Sequence, residues 1–210
     1  GSQCATPPAC GDGGAATGAP LNFPEAVAIG PEGSLYIADW GDNEIRKVSV
    51  GGAVSTVAGA GTPCFSAPSC GDGGAATNAH LSYPEGVAID QRTGDVYIAD
   101  TADNQVRKVS PRGTITLVAG TGATCSAPPA CGDGGAAASA RLSSPGGVAL
   151  DRQGNVFIAD SGDNEVRMVS AKGTITRVAG DGSACSKAGT CGDGGSATAA
   201  PLFVPHAIAL

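Results

Sequence analysis

Three stretches decide the fold: P-E-G-V-A-I-D at residues 84–90, V-Y-I-A-D-T-A-D-N-Q-V-R-K-V at residues 96–109 and G-T-I-T-L-V-A-G-T-G at residues 113–122. β-Branched and aromatic residues fill these runs, and Gly, Asn, Asp or Pro bounds them, which is typical of short strands joined by turns. Similar stretches occur on both sides along the chain, where Cys10, Cys70, Cys131 and Cys191 are separated by 60, 61 and 60 residues. The chain therefore repeats one unit.

Each unit predicts four strands. In the first unit they are Ala26–Gly30, Leu35–Asp39, Glu44–Ser49 and Ala53–Ala58. The matching strands are 86–90, 96–100, 105–110 and 114–119 in the second unit, and 147–151, 156–160, 165–170 and 174–179 in the third; Ala207–Leu210 repeats the first strand in a fourth. Four strands per unit at regular spacing is typical of a β-propeller blade. Weak alternation along the strands fits a blade that packs against neighbours on both faces.

The spacing places unit boundaries at residues 1–60, 61–121 and 122–181, with a partial fourth unit at 182–210 that holds a loop and one strand. Three and a half units are too few to close a ring, since propellers typically have about 4–8 blades. We therefore expect either a window of a longer chain or several copies that assemble head to tail.

The three quoted strings and their counterparts resemble NHL-repeat β-propellers. The variant they resemble is that of secreted bacterial proteins, in which G-D-G-G-A-A-T joins one blade to the next. The resemblance covers the whole chain and implies an all-β fold of four-stranded antiparallel blades, three complete and one partial. A cysteine pair just before G-D-G-G departs from the commoner pattern, and we interpret it as an added loop held by that pair.

The eight cysteines form four C-x5-C pairs, each followed by Gly-Asp-Gly-Gly. Zinc sites prefer closer cysteine pairs or nearby histidines, and the chain has only two histidines, so a metal centre is disfavoured. An even number of paired cysteines predicts four local disulfides and an oxidising compartment, meaning a secreted, extracellular or cell-surface protein, with the periplasm as a further option. The predicted pairs are Cys4–Cys10, Cys64–Cys70, Cys125–Cys131 and Cys185–Cys191.

Composition narrows the classes of partner. The net charge of −7 and the aromatic content of 4% disfavour nucleic-acid binding, which relies on basic surfaces and stacking rings. No apolar run approaches the ~20 residues of a membrane span. The expected partners are a protein or glycan ligand, and either further copies of the chain or further blades of a continuing one.

The Gly-Asp-Gly-Gly loops offer one set of weak ligand candidates. Their glycines could line an anion site, or their aspartates could bind calcium, although calcium takes about 6–8 oxygen ligands. The structural alternative is a tight turn in which each aspartate caps a short helical turn, such as the one predicted over Ala75–Thr77. We favour this structural interpretation over a binding site. The aspartates are Asp12, Asp72, Asp133 and Asp193.

A repeated arginine on the third strand offers a second set, formed by Arg46, Arg107 and Arg167. Each lies close enough in sequence to an Asp-Asn turn to form an ion pair with a turn carboxylate, and a rank of arginines could instead grip an anionic ligand. Because every unit repeats these residues, and a binding site usually breaks a repeat, a scaffold role is favoured.

Residues that break the repeat include His80, His206 and Trp40, as well as Met168, which stands where the other units have Lys47 and Lys108 and which we interpret as surface variation. The histidines lie in different units without an adjacent nucleophile, so the sequence predicts no enzyme, no cofactor, no metal and no catalytic residue. Trp40 is either a ligand contact or, as favoured, a partly buried structural residue. The expected function is a non-catalytic extracellular scaffold or recognition module. The alternatives are a structural subunit of an extracellular fibre or surface assembly, and a fragment of an NHL-propeller lyase or hydrolase with its active site elsewhere.

Overall fold

A computed structural model describes residues 10–64, 70–125, 131–186 and 191–210 of the 210-residue chain. This part of the chain forms three antiparallel sheets of four strands, and in each sheet the spatial order follows the chain order. The all-β prediction of four-stranded blades is therefore confirmed. The strands are β1 Pro24–Ile29, β2 Leu35–Asp39, β3 Glu44–Val48, β4 Val54–Ala58, β5 Pro84–Ile89, β6 Val96–Asp100, β7 Gln105–Val109, β8 Ile115–Ala119, β9 Pro145–Leu150, β10 Val156–Asp160, β11 Glu165–Val169 and β12 Ile175–Ala179.

The remaining regular structure consists of short 3-10 turns, and within the described residues no helix is long and apolar enough to cross a membrane. One set of turns precedes the first strand of each unit, and another follows the second strand in units one and three. The turns are Ala16–Gly18, Trp40–Asp42, Ala76–Asn78, Ala137–Ser139, Ser161–Asp163 and Ala197–Ala199.

The second strand of each unit has the predicted bounds, while the first begins two residues before its prediction. Pro84 pairs with Asp100, and a register shift separates it from Gly86, which pairs with Ala99. Proline suits this position because it lies at the start of a strand beside an irregularity, where its missing N–H breaks no regular ladder. This irregular start accounts for the two additional residues.

The three sheets pack face to face around two apolar clusters. Ile45, Leu81, Ile98 and Ile115 belong to the cluster that contains residues of the first two units, and all four are fully buried. An equivalent cluster joins the second and third units. Strand β6 is buried at every position because neighbours cover both faces of its sheet, which agrees with the weak alternation of the sequence.

The Gly-Asp-Gly-Gly loop lies against the outer strand of its own sheet. Gly73 N–H donates to the Ile115 carbonyl over 2.8 Å, and Ile115 N–H donates to the Gly74 carbonyl over 3.1 Å. Corresponding loops in the other two complete units donate to Val54 and Ile175. Each loop therefore occupies the edge that an outer strand would otherwise leave unpaired.

The structure corrects two details of the sequence prediction. The turn Ala76–Asn78 receives no side-chain cap, so the prediction that Asp72 caps it is wrong; the carboxylate binds an arginine instead. Ala207–Leu210, predicted as a first strand, forms no strand. First strands β1, β5 and β9 each pair with the second strand of their own unit.

Three of the four predicted cysteine pairs are disulfides: Cys64–Cys70, Cys125–Cys131 and Cys185–Cys191, with Cα atoms 5.6–5.7 Å apart. The predicted Cys4–Cys10 pair includes Cys4, which lies outside the described residues. Each bridge closes a small loop just before Gly-Asp-Gly-Gly, so it constrains the loop that covers the sheet edge.

Candidate functional site

The structure brings the two repeated candidate sets together as one buried network per unit. Arg107 donates to Asp72 through Nε and Nη2, over 3.2 and 3.0 Å, and through Nη1 to Asp100 over 3.3 Å. Its guanidinium also donates to the carbonyls of His80 and Cys70. The arginine is fully buried, so its charge serves to hold the loop against the sheet and is not presented to a ligand.

The first and third units repeat this arrangement. Arg46 bonds Asp12 over 2.7 Å, and Arg167 bonds Asp133 over 2.9 Å, in both cases through Nη2. Asp12 also accepts the Thr56 N–H, which engages both of its carboxylate oxygens. Asp193, in the partial fourth unit, is exposed. The carboxylates that could have bound calcium in the three complete units are therefore used within the fold.

Burial dominates the electrostatics of these networks. The pKa of Asp100 is raised to about 7, mainly by burial and also by the nearby Asp103, against the lowering effects of a hydrogen bond from Ser82 N–H and the charge of Arg107. Asp160 in the third unit has its pKa raised to about 7 and Glu44 in the first unit to about 7, again mainly by burial. A single arginine thus does not fully offset the cost of burying several carboxylates.

Two groups of cysteine and aspartate in the described residues have metal-binding geometry: Cys64, Cys70 and Asp103, and Cys125, Cys131 and Asp163. In both groups the two sulfurs form a disulfide, which leaves one carboxylate per group. These groups therefore consist of a cystine beside a buried acid.

The repeat breaks on one face, at the turn that follows the second strand. In the second and third units a hydroxyl links this turn to the next unit: Thr101 donates to the Pro145 carbonyl over 2.8 Å, and Ser161 to the Pro205 carbonyl over 2.7 Å. Trp40 occupies the same place in the first unit. The repeated polar link is therefore replaced by an aromatic ring.

Trp40 belongs to an aromatic cluster. Its ring lies 4.6 Å from that of Tyr83, tilted by 31°, and contacts Phe23 edge-on at 6.1 Å. The Trp40 side chain lies near Glu85 and lowers the pKa of that carboxyl. The indole is half-buried, whereas Tyr83 and Phe23 are 40% and 65% exposed. The cluster therefore offers apolar ring surface to solvent beside a carboxylate.

Strands β1, β5 and β9 together with the segment 206–208 line a cleft of about 240 Å³; its lining residues are 25–27, 85–87, 146–148 and 206–208, and we call it the first-strand cleft. Glu25, Glu85 and His206 occupy equivalent positions in three units, and the third unit has Gly146 there. A Cβ on Gly146 would lie 2.9 Å from His206 Nδ1, so the glycine leaves room for the imidazole. Unlike the buried networks, this position is not the same in every unit, because it is glutamate in the first two units, glycine in the third and histidine in the fourth.

Glu85 is the most constrained acid of the cleft. Its Oε2 lies 3.9 Å from His206 Nδ1, and its side chain is 22% exposed. Burial has the largest effect and raises the pKa of Glu85; the charge of His206 lowers this pKa, the nearby Glu25 raises it and the Trp40 side chain lowers it. The Glu85 carboxylate is therefore largely shielded from water, and the positive charge near it does not offset the cost of its burial.

The sequence identified Trp40 and His206 as departures from the repeat but did not place them together, and it missed Glu85 and Tyr83. The available signal was the variation at equivalent positions in successive units. His80 lies elsewhere, with Nδ1 2.9 Å from Thr62 Oγ1, so the two histidines do not form one site. An active site in another part of a longer enzyme stays a prediction.

Comparisons with solved structures agree with the fold. An auxiliary nutrient binding protein from Bacteroides ovatus superposes with a TM-score of 0.61 at 15% identity, over 91% of this chain and 44% of that one. A protein of unknown function from Bacteroides thetaiotaomicron gives 0.61 at 18% identity, over 89% and 42% of the two chains. At these identities the likeness concerns the fold alone.

Sequence comparisons define the family. Mouse teneurin-3 is 35% identical over 182 residues, and human teneurin-4 is 30% identical over 219 residues, covering 82% and 96% of this chain. The matches span 6% and 8% of those proteins, so the chain corresponds to a small part of their length. The family model described as the teneurin NHL domain matches residues 1–68, 53–130 and 111–188. The chain therefore belongs to the teneurin NHL-domain family.

Proposed function

We propose that this chain is a non-catalytic extracellular recognition module that binds a protein or glycan ligand at the first-strand cleft and its aromatic rim. One observation carries the proposal: the complete units are alike in their buried networks, whereas the chain departs from the repeat at Trp40, Gly146 and His206, which lie around Glu85 on one face. Repetition suits a scaffold, whereas a ligand that engages one place on the array needs a local departure from it.

The extracellular location rests on the cystines, which persist in oxidising environments. We also retain the division into units at residues 1–60, 61–121, 122–181 and 182–210 as a proposal. It assigns each Gly-Asp-Gly-Gly loop to the same unit as the outer strand that it covers, as with Gly73 and Ile115.

Variants that restore the repeat test this function. Trp40→Thr introduces the residue found at position 101, whose hydroxyl suits the link to the next unit, and Glu85→Gln removes the cleft charge with little change in volume. Lys47→Met is the matched control, because the third unit carries Met168 at that position.

The chain, displayed as a multimer, is assayed for binding to cell surfaces and to extracellular matrix. Binding that falls with both cleft variants and persists with Lys47→Met supports the proposal. Equal binding by all variants, at equal folded fractions, contradicts it.

A second candidate function, a structural subunit of an extracellular assembly, is favoured by the outer face of the first sheet. Val27 and Ile29 are 64% and 66% exposed, whereas the equivalent Val87 and Ile89 are each 7% exposed because the preceding unit covers them. We propose that another copy of the chain supplies a blade for this face, repeating the interface between successive units.

Backbone geometry on the same face supports this second proposal. Tyr83 N–H and Ser144 N–H each donate to an asparagine of the preceding unit, Asn43 and Asn104, over 2.9 and 2.8 Å. Tyr83 and Ser144 have φ of +53° and +47°, and Phe23 has a matching φ of +51°. The backbone of Phe23 therefore has the conformation in which the equivalent residues donate their N–H to an asparagine of the preceding unit.

The oligomeric state tests the assembly. Light scattering on the purified chain is expected to show concentration-dependent association that Ile29→Lys abolishes. Val50→Lys is the control, because Val50 is 74% exposed and lies outside the β1 face. A monomer at all concentrations, or equal loss of association in both variants, contradicts the proposal.

A further inference from the structure

The rings beside the first-strand cleft form a platform with a charged end. The Trp40 and Tyr83 rings lie 4.6 Å apart with a tilt of 31°, and the Trp40 side chain is close enough to Glu85 to lower the pKa of that carboxyl. Aromatic faces attract cations through their negative quadrupole, most strongly in the case of tryptophan. A ligand group that lies over these rings therefore meets both π-electron density and a carboxylate.

The charges that line the cleft also favour a cationic ligand. The lining residues include two carboxylates, Glu25 and Glu85, one imidazole, His206, and neither lysine nor arginine. The whole chain adds a net charge of −7, which attracts cationic ligands over longer distances. The partly dry carboxylate of Glu85 gains most from a cation that replaces lost hydration.

We propose that the first-strand cleft binds a lysine or arginine side chain presented by a basic segment of a partner protein, which contacts Glu85 and Glu25 while stacking on Trp40. This inference rests on the proposed function and specifies the ligand of the same site. Arginine fits best, because its planar guanidinium can bond a carboxylate and stack on an aromatic ring at the same time. An uncharged glycan would use the rings but would gain little from two carboxylates.

Trp40 itself reports on the site, because it is the only tryptophan of the chain. The purified chain is titrated with a tri-arginine peptide at low ionic strength while the emission of Trp40 is followed. We expect a saturable change that weakens as salt is added, since screening reduces the attraction between exposed charges. Tri-alanine and the uncharged trisaccharide cellotriose serve as parallel probes, and neither is expected to produce a saturable change.

Charge-removing variants locate the binding. Glu25→Gln removes an exposed cleft carboxylate that does not hold Trp40, so the reporter stays in place, and we expect affinity for the arginine peptide to fall about fivefold. Glu85→Gln is expected to reduce it at least as much. The matched control is Glu32→Gln, an exposed carboxylate that lines a different pocket and should leave the affinity unchanged.

The outcomes separate this inference from the proposed function. No saturable response to tri-arginine, a response to cellotriose instead, or an equal loss with Glu32→Gln would overturn the cation site. Cell-surface binding that is lost in Trp40→Thr would then still support recognition at the cleft. If tri-arginine binds as expected but the cleft variants bind cell surfaces as well as the unchanged chain does, the site holds a cation and the proposed function is contradicted.

Discussion

Arg107 connects parts of the chain that the sequence presents as separate motifs. It lies on β7, yet it binds Asp72 in the Gly-Asp-Gly-Gly loop and Asp100 at the end of β6. The sequence predicted an ion pair with a nearby turn carboxylate, but the loop aspartate lies 35 residues away, and only the folded sheet brings it close. Local patterns predict neighbours along a strand and cannot reveal such a distant partner.

Replacing Arg107 with methionine is expected to lower the free energy of unfolding by about 3–5 kcal/mol, because it leaves the buried Asp100 and the partly exposed Asp72 without their cation. Lys108→Met is the control, since Lys108 is partly exposed and the third unit has methionine at that position; its effect should stay within about 0.5 kcal/mol. Urea unfolding of both variants measures the difference. Equal stabilities would show that the buried network contributes little.

A second prediction concerns the acid beside a cystine. The Asp103 carboxylate lies within 4.8 Å of both sulfurs of Cys64–Cys70, and burial raises its pKa to about 6, so at pH 8 it is ionised and repels an attacking thiolate. Asp103→Asn is expected to speed reduction of this disulfide by a thiol at pH 8, about two- to tenfold.

Cys185–Cys191 serves as the internal control, because it belongs to a different Gly-Asp-Gly-Gly loop of the same chain. Timed reduction, alkylation and peptide mass spectrometry give the rate for each bridge. A slower reduction of Cys64–Cys70 in Asp103→Asn would instead identify Asp103 as a proton donor to the leaving sulfur.

At the scale of the elements, the strands could be predicted because their signals are local. The second strand of each unit is bounded by turn residues, and all three matched their predictions to the residue. The loops could be placed in sequence, but their pairing with the outer strand could not, since Gly73 meets Ile115 more than 40 positions later. The strand predicted at Ala207–Leu210 failed for a related reason: a first strand forms by pairing with a second.

The edge-covering loop yields a paired glycine test. Gly71 and Gly73 both have positive φ, of +97° and +85°, so alanine is strained at either position. A Cβ on Gly71 would also lie 2.8 Å from the Ala79 Cα, whereas a Cβ on Gly73 would meet nothing within 4 Å. Gly73→Ala should lower the free energy of unfolding by about 1 kcal/mol, and Gly71→Ala by clearly more. Thermal unfolding of both variants decides, and equal losses would contradict the geometry.

On the scale of the whole molecule, repetition and function occupy different residues. The sequence predicted the blade array from its repeats, and it favoured a scaffold role for the aspartates and arginines that every unit carries. The cleft could not be assembled in the same way, because Trp40, Glu85 and His206 come from the first, second and fourth units and meet only in the folded array. Variation between units was visible in the sequence, whereas the angle between blades was not.

The buried carboxylates of all three units predict the pH dependence of stability. Asp100, Asp160 and Glu44 have pKa values of about 7, above their ordinary values of 3.8 and 4.5, so the folded chain binds more protons than the unfolded chain between about pH 4 and 7. Stability should therefore increase as the pH falls from 8 to 5, by about a few kcal/mol in total.

Melting temperatures across this range measure the effect. Asp100→Asn should flatten the profile, because it removes one of the groups that take up a proton. A melting temperature that increases steadily from pH 5 to 8 would contradict the assignment.

The position of the edge-covering loop also bears on how such an array can evolve. Each loop and the outer strand that it covers lie within one stretch of about 60 residues, as Gly73 and Ile115 do. A gene segment that encodes one repeat therefore encodes its own edge protection. Tandem duplication can therefore add whole repeats to the array, and deletion can remove them. Neither change leaves an outer strand with an unpaired edge that could aggregate.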